Sequence, residues 1–207
     1  MLTLEPLLAP FIHHPLSHDQ LRKLQTHFDL LLKWNAKISL TAIRDPQEIA
    51  RRHFGESLFA GVHLNAKPGV QLADLGSGAG FPGLPIAVLQ PQISVVLIES
   101  QHKKVAFLRE VIRSAQINNA SVYAGRAEES KGKSQIVTMR AVESFESILP
   151  IAASLLEAHG ELALLIGAAQ MQIARAKLPG LVWNQPVALP ASRERVLLIG
   201  SNGGRTV

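Results

Sequence analysis

The apolar run from Val70 to Leu75 empties into Gly76-Ser77-Gly78-Ala79-Gly80-Phe81-Pro82-Gly83, four glycines in eight residues. Glycine lets backbone N–H groups approach a ligand where a Cβ would stand in the way. Pro82 and Pro85 follow at once, and proline is tolerated in a first helical turn because N–H groups there have no intrahelical partner. The unit therefore reads as strand, glycine loop, helix. The same alternation continues downstream: strand 70–75, helix 82–90, strand 93–99, helix 103–116, strand 120–124, strand 136–140, helix 144–158, strand 161–166 and a short helix 168–177. Two last strands, 182–188 and 194–200, are joined only by the turn-like Leu189-Pro190-Ala191-Ser192, which predicts an antiparallel hairpin. The expected fold is α/β, a mostly parallel seven-stranded sheet ending in that hairpin, with helices on both faces.

The loop's chemistry narrows its ligand. Asp74 stands two residues before the first glycine. A carboxylate at this mouth would repel a pyrophosphate and suit an ammonium or sulfonium, which points to S-adenosylmethionine. A G-x-G-x-x-G string does occur at 78–83, but a dinucleotide fold places its last glycine inside the helix, and here Pro82 intervenes. No Lys-Ser or Lys-Thr follows, which excludes a Walker-type phosphate loop. A tight turn without a ligand remains the alternative.

Residues 1–65 read as a small helical cap and residues 66–207 as the main domain. Ser17-His18-Asp19-Gln20 has capping-box form, and Leu21, Leu24, Phe28, Leu31 and Leu32 recur at helical spacing. A second helix is expected from Pro46 to about Phe59. Six of the eight histidines fall in this segment, yet His14 and His18 are separated by Pro15, so no metal site is expected. The chain has no cysteine, no charged-then-apolar leader and no apolar run long enough for a membrane span. A soluble, cytoplasmic protein without membrane contact is the expectation, and no long apolar stripe calls for more than a monomer. The formal charge is +5, mostly in residues 61–207, which favours a polyanionic partner, nucleic acid first.

Ligands of open parallel sheets sit beyond the carboxyl ends of the strands. Glu99 ends the strand Ile93 to Ile98 and could accept both ribose hydroxyls; the alternative is a solvated loop opening. Gly125-Arg126-Ala127-Glu128 follows the third strand, where backbone amides can bracket an adenine edge, or form an ordinary polar loop. Arg140 closes Ile136-Val137-Thr138-Met139 and should meet an anion, either a ligand group or a structural carboxylate. Lys103, Lys104, Arg126, Lys131 and Lys133, with Arg51 and Arg52 from the cap, are the candidate basic rim for nucleic-acid phosphates.

Taken together, Lys33-Trp34-Asn35 with Ile38-Ser39-Leu40-Thr41, Arg44-Asp45-Pro46, His53 with Ser57-Leu58, Asp74 to Gly83, Lys103-Lys104 with Phe107-Leu108, Arg126-x-Glu128 and Arg140-Ala141 resemble the RsmG (GidB) family of bacterial 16S rRNA (guanine-N7)-methyltransferases. The resemblance implies a class I methyltransferase fold, with Gly76, Phe81, Ala127, Glu128 and Arg140 holding S-adenosylmethionine; Asp74, Gly78 and Glu99 join them on the superfamily pattern. It implies N7 methylation of a guanine in the 530 loop of 16S rRNA, free or in the small ribosomal subunit, and no DNA partner. Guanine N7 carries no proton, so no residue is assigned as a base, and Arg140 is the positioning candidate. Trp34 and Asn35 are expected to lock the cap. The chain departs from the family at Ser134-Gln135, where Phe-Asp is usual, at Glu56, where aspartate is usual, and at Ile166, where the pattern has a lysine expected on the substrate side. Two other functions stay open: an RNA-associated, cofactor-binding protein that has lost transfer, and a small-molecule methyltransferase.

Overall fold

The computed structural model describes residues 2–142, 144–192 and 194–203. Before the sheet come α1 (Glu5–Leu8), α2 (His18–Asn35), α3 (Pro46–Ile49), a π-helical segment (Ala50–Gly55) and α4 (Glu56–His63). Then follow β1 (Gln71–Leu75), α5 (Gly83–Leu89), β2 (Ser94–Glu99), α6 (His102–Ala115), β3 (Ala120–Ala124), β4 (Ser134–Arg140), α7 (Phe145–Ser154), β5 (Leu156–Gly167), α8 (Gln170–Lys177), β6 (Leu181–Trp183), β7 (Val187–Ala188) and β8 (Arg195–Asn202). The strand order is β3-β2-β1-β4-β5-β8-β6, with β7 also paired to β8. Pairs from β3 through β5 are parallel, and every pair made by β8 is antiparallel. This is the parallel sheet with a terminal antiparallel excursion that the element pattern predicts.

Local chemistry sets the boundaries. The capping box before α2 is complete: Gln20 N–H donates to Ser17 Oγ at 3.2 Å, and Ser17 N–H donates to Gln20 Oε1 at 2.9 Å. Asp45 caps α3 by accepting Glu48 N–H at 2.9 Å. At the far end of α2, Asn35 Oδ1 accepts the N–H groups of Leu40 and Thr41, and Trp34 packs edge-on to Phe107 with ring centroids 5.6 Å apart.

Strand parity divides the core. Leu72, Val95, Leu97, Ile136, Ala163 and Leu165 face the layer formed by α2, α4, α5 and α6 with the N-terminal segment. Ala73, Leu75, Ile98, Val137, Leu164 and Ile166 face α7 and α8. The helices before β1 thus share one continuous core with the sheet.

Three boundaries differ from expectation. The helix expected over 144–158 stops at Ser154, because Ser134 N–H donates to Leu155 O and Leu156 pairs with Ser134, drawing helix-forming residues into β5. The expected strand 182–188 is broken into β6 and β7 around Gln185-Pro186, where proline has no N–H for the ladder. The second helix runs on to His63 and widens into the π-helical segment in its middle.

Candidate functional site

Strand order reverses between β1 and β4, so the loops following these strands part and leave a crevice at the sheet's carboxyl edge. The glycine loop lines one side. Gly76, Gly78 and Gly80 have φ of +68°, +56° and +91°, a region side chains disfavour. Gly83 serves differently: a Cβ there would lie 2.8 Å from Asp74 Oδ2 and against Leu97 Cδ2.

Asp74 lies beneath the loop. It is fully buried, and its parity turns it toward α5, where Oδ2 accepts Gly83 N–H at 3.1 Å and Oδ1 accepts the Thr138 hydroxyl at 2.8 Å. Ser77 Oγ donates to the Asp74 carbonyl at 2.8 Å. Burial pushes the carboxyl up to about 6, against the hydrogen bonds that favour its charge. Asp74 therefore ties β1 to β4 and to the start of α5.

Glu99 occupies the opposite wall. Its Oε2 accepts Gly78 N–H at 2.9 Å and its Oε1 accepts Gln101 N–H at 2.8 Å. Each carboxylate oxygen retains acceptor capacity, since a carboxylate can accept about four bonds. A cavity of about 330 Å³ opens here, with Gly76, Glu99, Arg126, Ala127, Glu128 and Val142 in its wall. Among the described residues the N–H groups of Ala127 and Glu128 find no acceptor, so both remain able to bond a ligand edge.

Arg140 is turned elsewhere. Ile136, Thr138 and Arg140 share strand parity, which directs the arginine toward the π-helical segment. Its Nη1 donates to His53 Nδ1 at 2.7 Å, and its Nη2 donates to the Arg52 carbonyl at 2.9 Å and lies 3.5 Å from Glu56 Oε2. Glu56, 2% exposed, also pairs with Arg195 through Oε1. Burial, partly offset by the Glu56 charge, lowers the guanidinium to about 10. Burial raises Glu56 despite its arginine neighbours. A second cavity of about 340 Å³ opens beside these groups, with Thr41, Arg52, His53, Arg140 and Arg195 in its wall. The segment Arg140-Ala141-Val142 separates it from the first.

Of the expected cofactor residues, Gly76, Glu99, Ala127 and Glu128 line the first cavity. Gly78 bonds to Glu99 at its edge. Asp74 and Phe81 lie below: Phe81 is sandwiched between His27 and His53, each ring 4.9 Å away and nearly parallel. Arg140 lines the second cavity. Of the expected basic rim, Arg126 edges the first cavity and Arg52 the second, while Arg51 shares a groove with Arg52 and Arg195. Lys103 and Lys104 lie in the first turn of α6, the former exposed. Lys133 immediately precedes the first residue of β4, which puts it at the amino edge of the sheet, away from both cavities; Lys131 lies two residues before it. Gln135 is at that same edge, accepting Gln71 N–H at 2.8 Å. The side chain of Ile166 is turned by parity into the core under α7 and α8 rather than to the substrate side, although the residue also contributes to the second cavity's wall. The sequence alone assigns no role to Arg195 or Glu56. A lone carboxylate between Phe54 and Leu58-Phe59 is the available signal.

The family model for rRNA small subunit methyltransferase G (GidB) matches residues 20–179. The curated ribosomal RNA small subunit methyltransferase G of Lachnoclostridium phytofermentans is 38% identical over 139 residues, 64% of this chain and 57% of that protein. The protein of the same name from Desulfitobacterium hafniense is 37% identical over 151 residues, 70% of this chain and 62% of its own length. The match thus spans under two thirds of these relatives. Among solved structures, P. horikoshii TYW2 in complex with MeSAdo superposes with a TM-score of 0.63 at 19% identity, covering 82% of this chain and 66% of that one. A Methanococcus jannaschii fibrillarin pre-rRNA processing protein superposes with a TM-score of 0.57 at 18% identity, covering 69% and 70%. These likenesses establish the fold as that of the class I methyltransferases.

Proposed function

Because the chain belongs to the rRNA small subunit methyltransferase G (GidB) family, we propose that it methylates N7 of a guanine in the 530 loop of 16S rRNA, with S-adenosylmethionine as donor. The observation that carries this reading is the first cavity. It joins a glycine loop, a carboxylate with spare acceptor capacity and two backbone N–H groups without a partner among the described residues, within a volume suited to a nucleoside.

The residues present fit the donor. Glu99 would accept the ribose hydroxyls while bracing the loop through Gly78 N–H. Ala127 and Glu128 would present their N–H groups to the adenine edge. Gly76 has to remain glycine, since its φ is +68° and a Cβ would stand 3.1 Å from Val142. When bound, S-adenosylmethionine would supply a sulfonium methyl for the guanine N7 lone pair, with the carbon–sulfur electron pair returning to sulfur. N7 has no proton to lose, so transfer asks for no general base; His53 in the second cavity, lowered to about 2 mainly by burial, would be a poor one. The chain contributes alignment, worth up to roughly 7–11 kcal/mol when well held. Arg52, Arg140 and Arg195 give the second cavity a positive wall suited to RNA, with the RNA chain free or within the small subunit. A monomer acting in the cytoplasm is part of the same proposal.

Calorimetric titration with S-adenosylmethionine tests the cavity. Wild-type protein should bind, and Glu99→Gln should bind about tenfold or more weakly, since one ribose acceptor becomes a donor. Equal affinities would remove Glu99 from the donor site, and no heat from folded wild-type protein would refute the reading.

A further inference from the structure

The second cavity contains a hydroxyl whose hydrogen-bonding role is fixed by its neighbours. Arg140 can only donate, so His53 Nδ1, 2.7 Å from Nη1, has to accept. Burial and then the Arg140 charge keep the His53 ring neutral. Its proton therefore sits on Nε2, which donates to Thr41 Oγ1 at 2.7 Å. The Ile43 N–H donates to the same oxygen at 3.2 Å. Both lone pairs of the Thr41 hydroxyl are thereby occupied, and its one proton remains to be given. Among the described residues no acceptor takes the Thr41 hydroxyl proton. The residue is also held in place, because its own N–H donates to Asn35 Oδ1 at 3.0 Å.

The cationic part of the wall has the same polarity. Arg52, Arg140 and Arg195 can only donate, and both Glu56 oxygens already face arginines. A hydroxyl fixed as a donor discriminates between purines at the position beside N7: guanine presents the O6 acceptor there, whereas adenine presents the N6 amino donor. We propose that Thr41 is a specificity-determining residue for this enzyme, its hydroxyl proton donated to O6 of the guanine whose N7 is methylated. The proposal rests on the guanine-N7 reading above and deepens it. Adenine is refused because its amino group would meet a hydroxyl with no lone pair to offer, leaving two donors opposed in a partly closed cavity. His53 is the positioning residue behind Thr41: it relays the fixed donor character of Arg140 into a fixed direction for the hydroxyl, and Phe81 stacks on its ring to hold it.

The test is a cycle between side chain and substrate atom. RNA is prepared with either guanine or 2-aminopurine, which keeps N7 and lacks O6, at the position the wild-type protein methylates. Transfer from labelled S-adenosylmethionine is measured for wild type, Thr41→Val and Thr41→Ser, with donor affinity and thermal unfolding followed in parallel. Thr41→Val should slow guanine methylation about tenfold to a hundredfold and leave the 2-aminopurine rate near that of wild type. Thr41→Ser should restore the guanine rate. Should the valine variant not fold, Thr41→Ala enters the same comparison. Equal slowing on both bases would show a merely structural threonine and overturn the proposal, as would an unaffected guanine rate. A wild-type protein that leaves guanine N7 unmethylated would fail at the outset, refuting the functional reading and this inference with it.

Discussion

Replacing Asp74 by asparagine should remove a defined part of the protein's pH dependence. Asp74 is fully buried, and burial lifts its carboxyl from 3.8 to about 6 in the folded state. A folded-state value above the unfolded one means that the folded protein holds the proton more tightly. The contribution of Asp74 to stability is therefore greatest below about pH 4 and is lost as pH rises through about 6. Two units at 1.36 kcal/mol each make the loss about 3 kcal/mol. His27 acts in the opposite sense: burial lowers it to about 4, so stability is lost as pH falls from 6.5 toward that value. Because His27 is common to both proteins, the quantity to measure is the difference between them. Urea unfolding of wild type and Asp74→Asn from pH 4 to pH 7 should give a wild-type minus variant difference that falls by about 2.4 kcal/mol across the range, the remainder lying below pH 4. A difference constant to within about 0.5 kcal/mol would refute a buried, loop-tying carboxylate, because an exposed one keeps its ordinary value.

Other substitutions probe the packing and charges around the site. Gly83→Ala forces a Cβ against Leu97 and Asp74 and should cost about 1–3 kcal/mol in urea unfolding, whereas Gly132→Ala, with nothing within 4 Å, should stay within about 0.5 kcal/mol of wild type. Glu56→Ala leaves Arg140 and Arg195 without their carboxylate and should destabilise by roughly 3–5 kcal/mol; a loss under about 1 kcal/mol would mean that water already screens the cluster. Lys103→Ala with Lys104→Ala should flatten the salt dependence of RNA binding by about 0.7–0.9 logarithmic units for each phosphate that the pair neutralises; an unchanged slope would make these lysines a solvated face of α6.

Much of the scaffold is legible in the sequence because its signals are local. Apolar runs punctuated by glycine and proline locate the parallel strands, and Ser17 with Gln20 marks the start of α2. The β5 boundary is not legible, since Leu156-Glu157-Ala158 suits a helix and becomes strand only through the pairing of Leu156 with Ser134. The π-helical widening at Ala50–Gly55 leaves no compositional trace, yet it brings His53 and the Arg52 carbonyl to Arg140. The glycine loop borders the first cavity, but the sequence does not say which side chains enter it. Asp74 and Arg140 both lie on the even-numbered parity that points under the N-terminal helices, and parity is written in the strands: Leu72 with Asp74, and Ile136 with Thr138 and Arg140. What parity cannot give is the partner. Arg195 reaches Glu56 from the start of β8, more than a hundred residues away in sequence, so only the folded chain reveals that pair.

Guanine-N7 transfer is tested most directly by following the methyl group. Purified protein is incubated with labelled S-adenosylmethionine and undermethylated small-subunit RNA, free and within particles, and the RNA is then digested and its nucleosides separated. Label should appear in 7-methylguanosine, mapped to a single site in the 530 loop, from at least one of the two substrates. Label in any other nucleoside, or none from protein that binds the donor, would contradict the assignment.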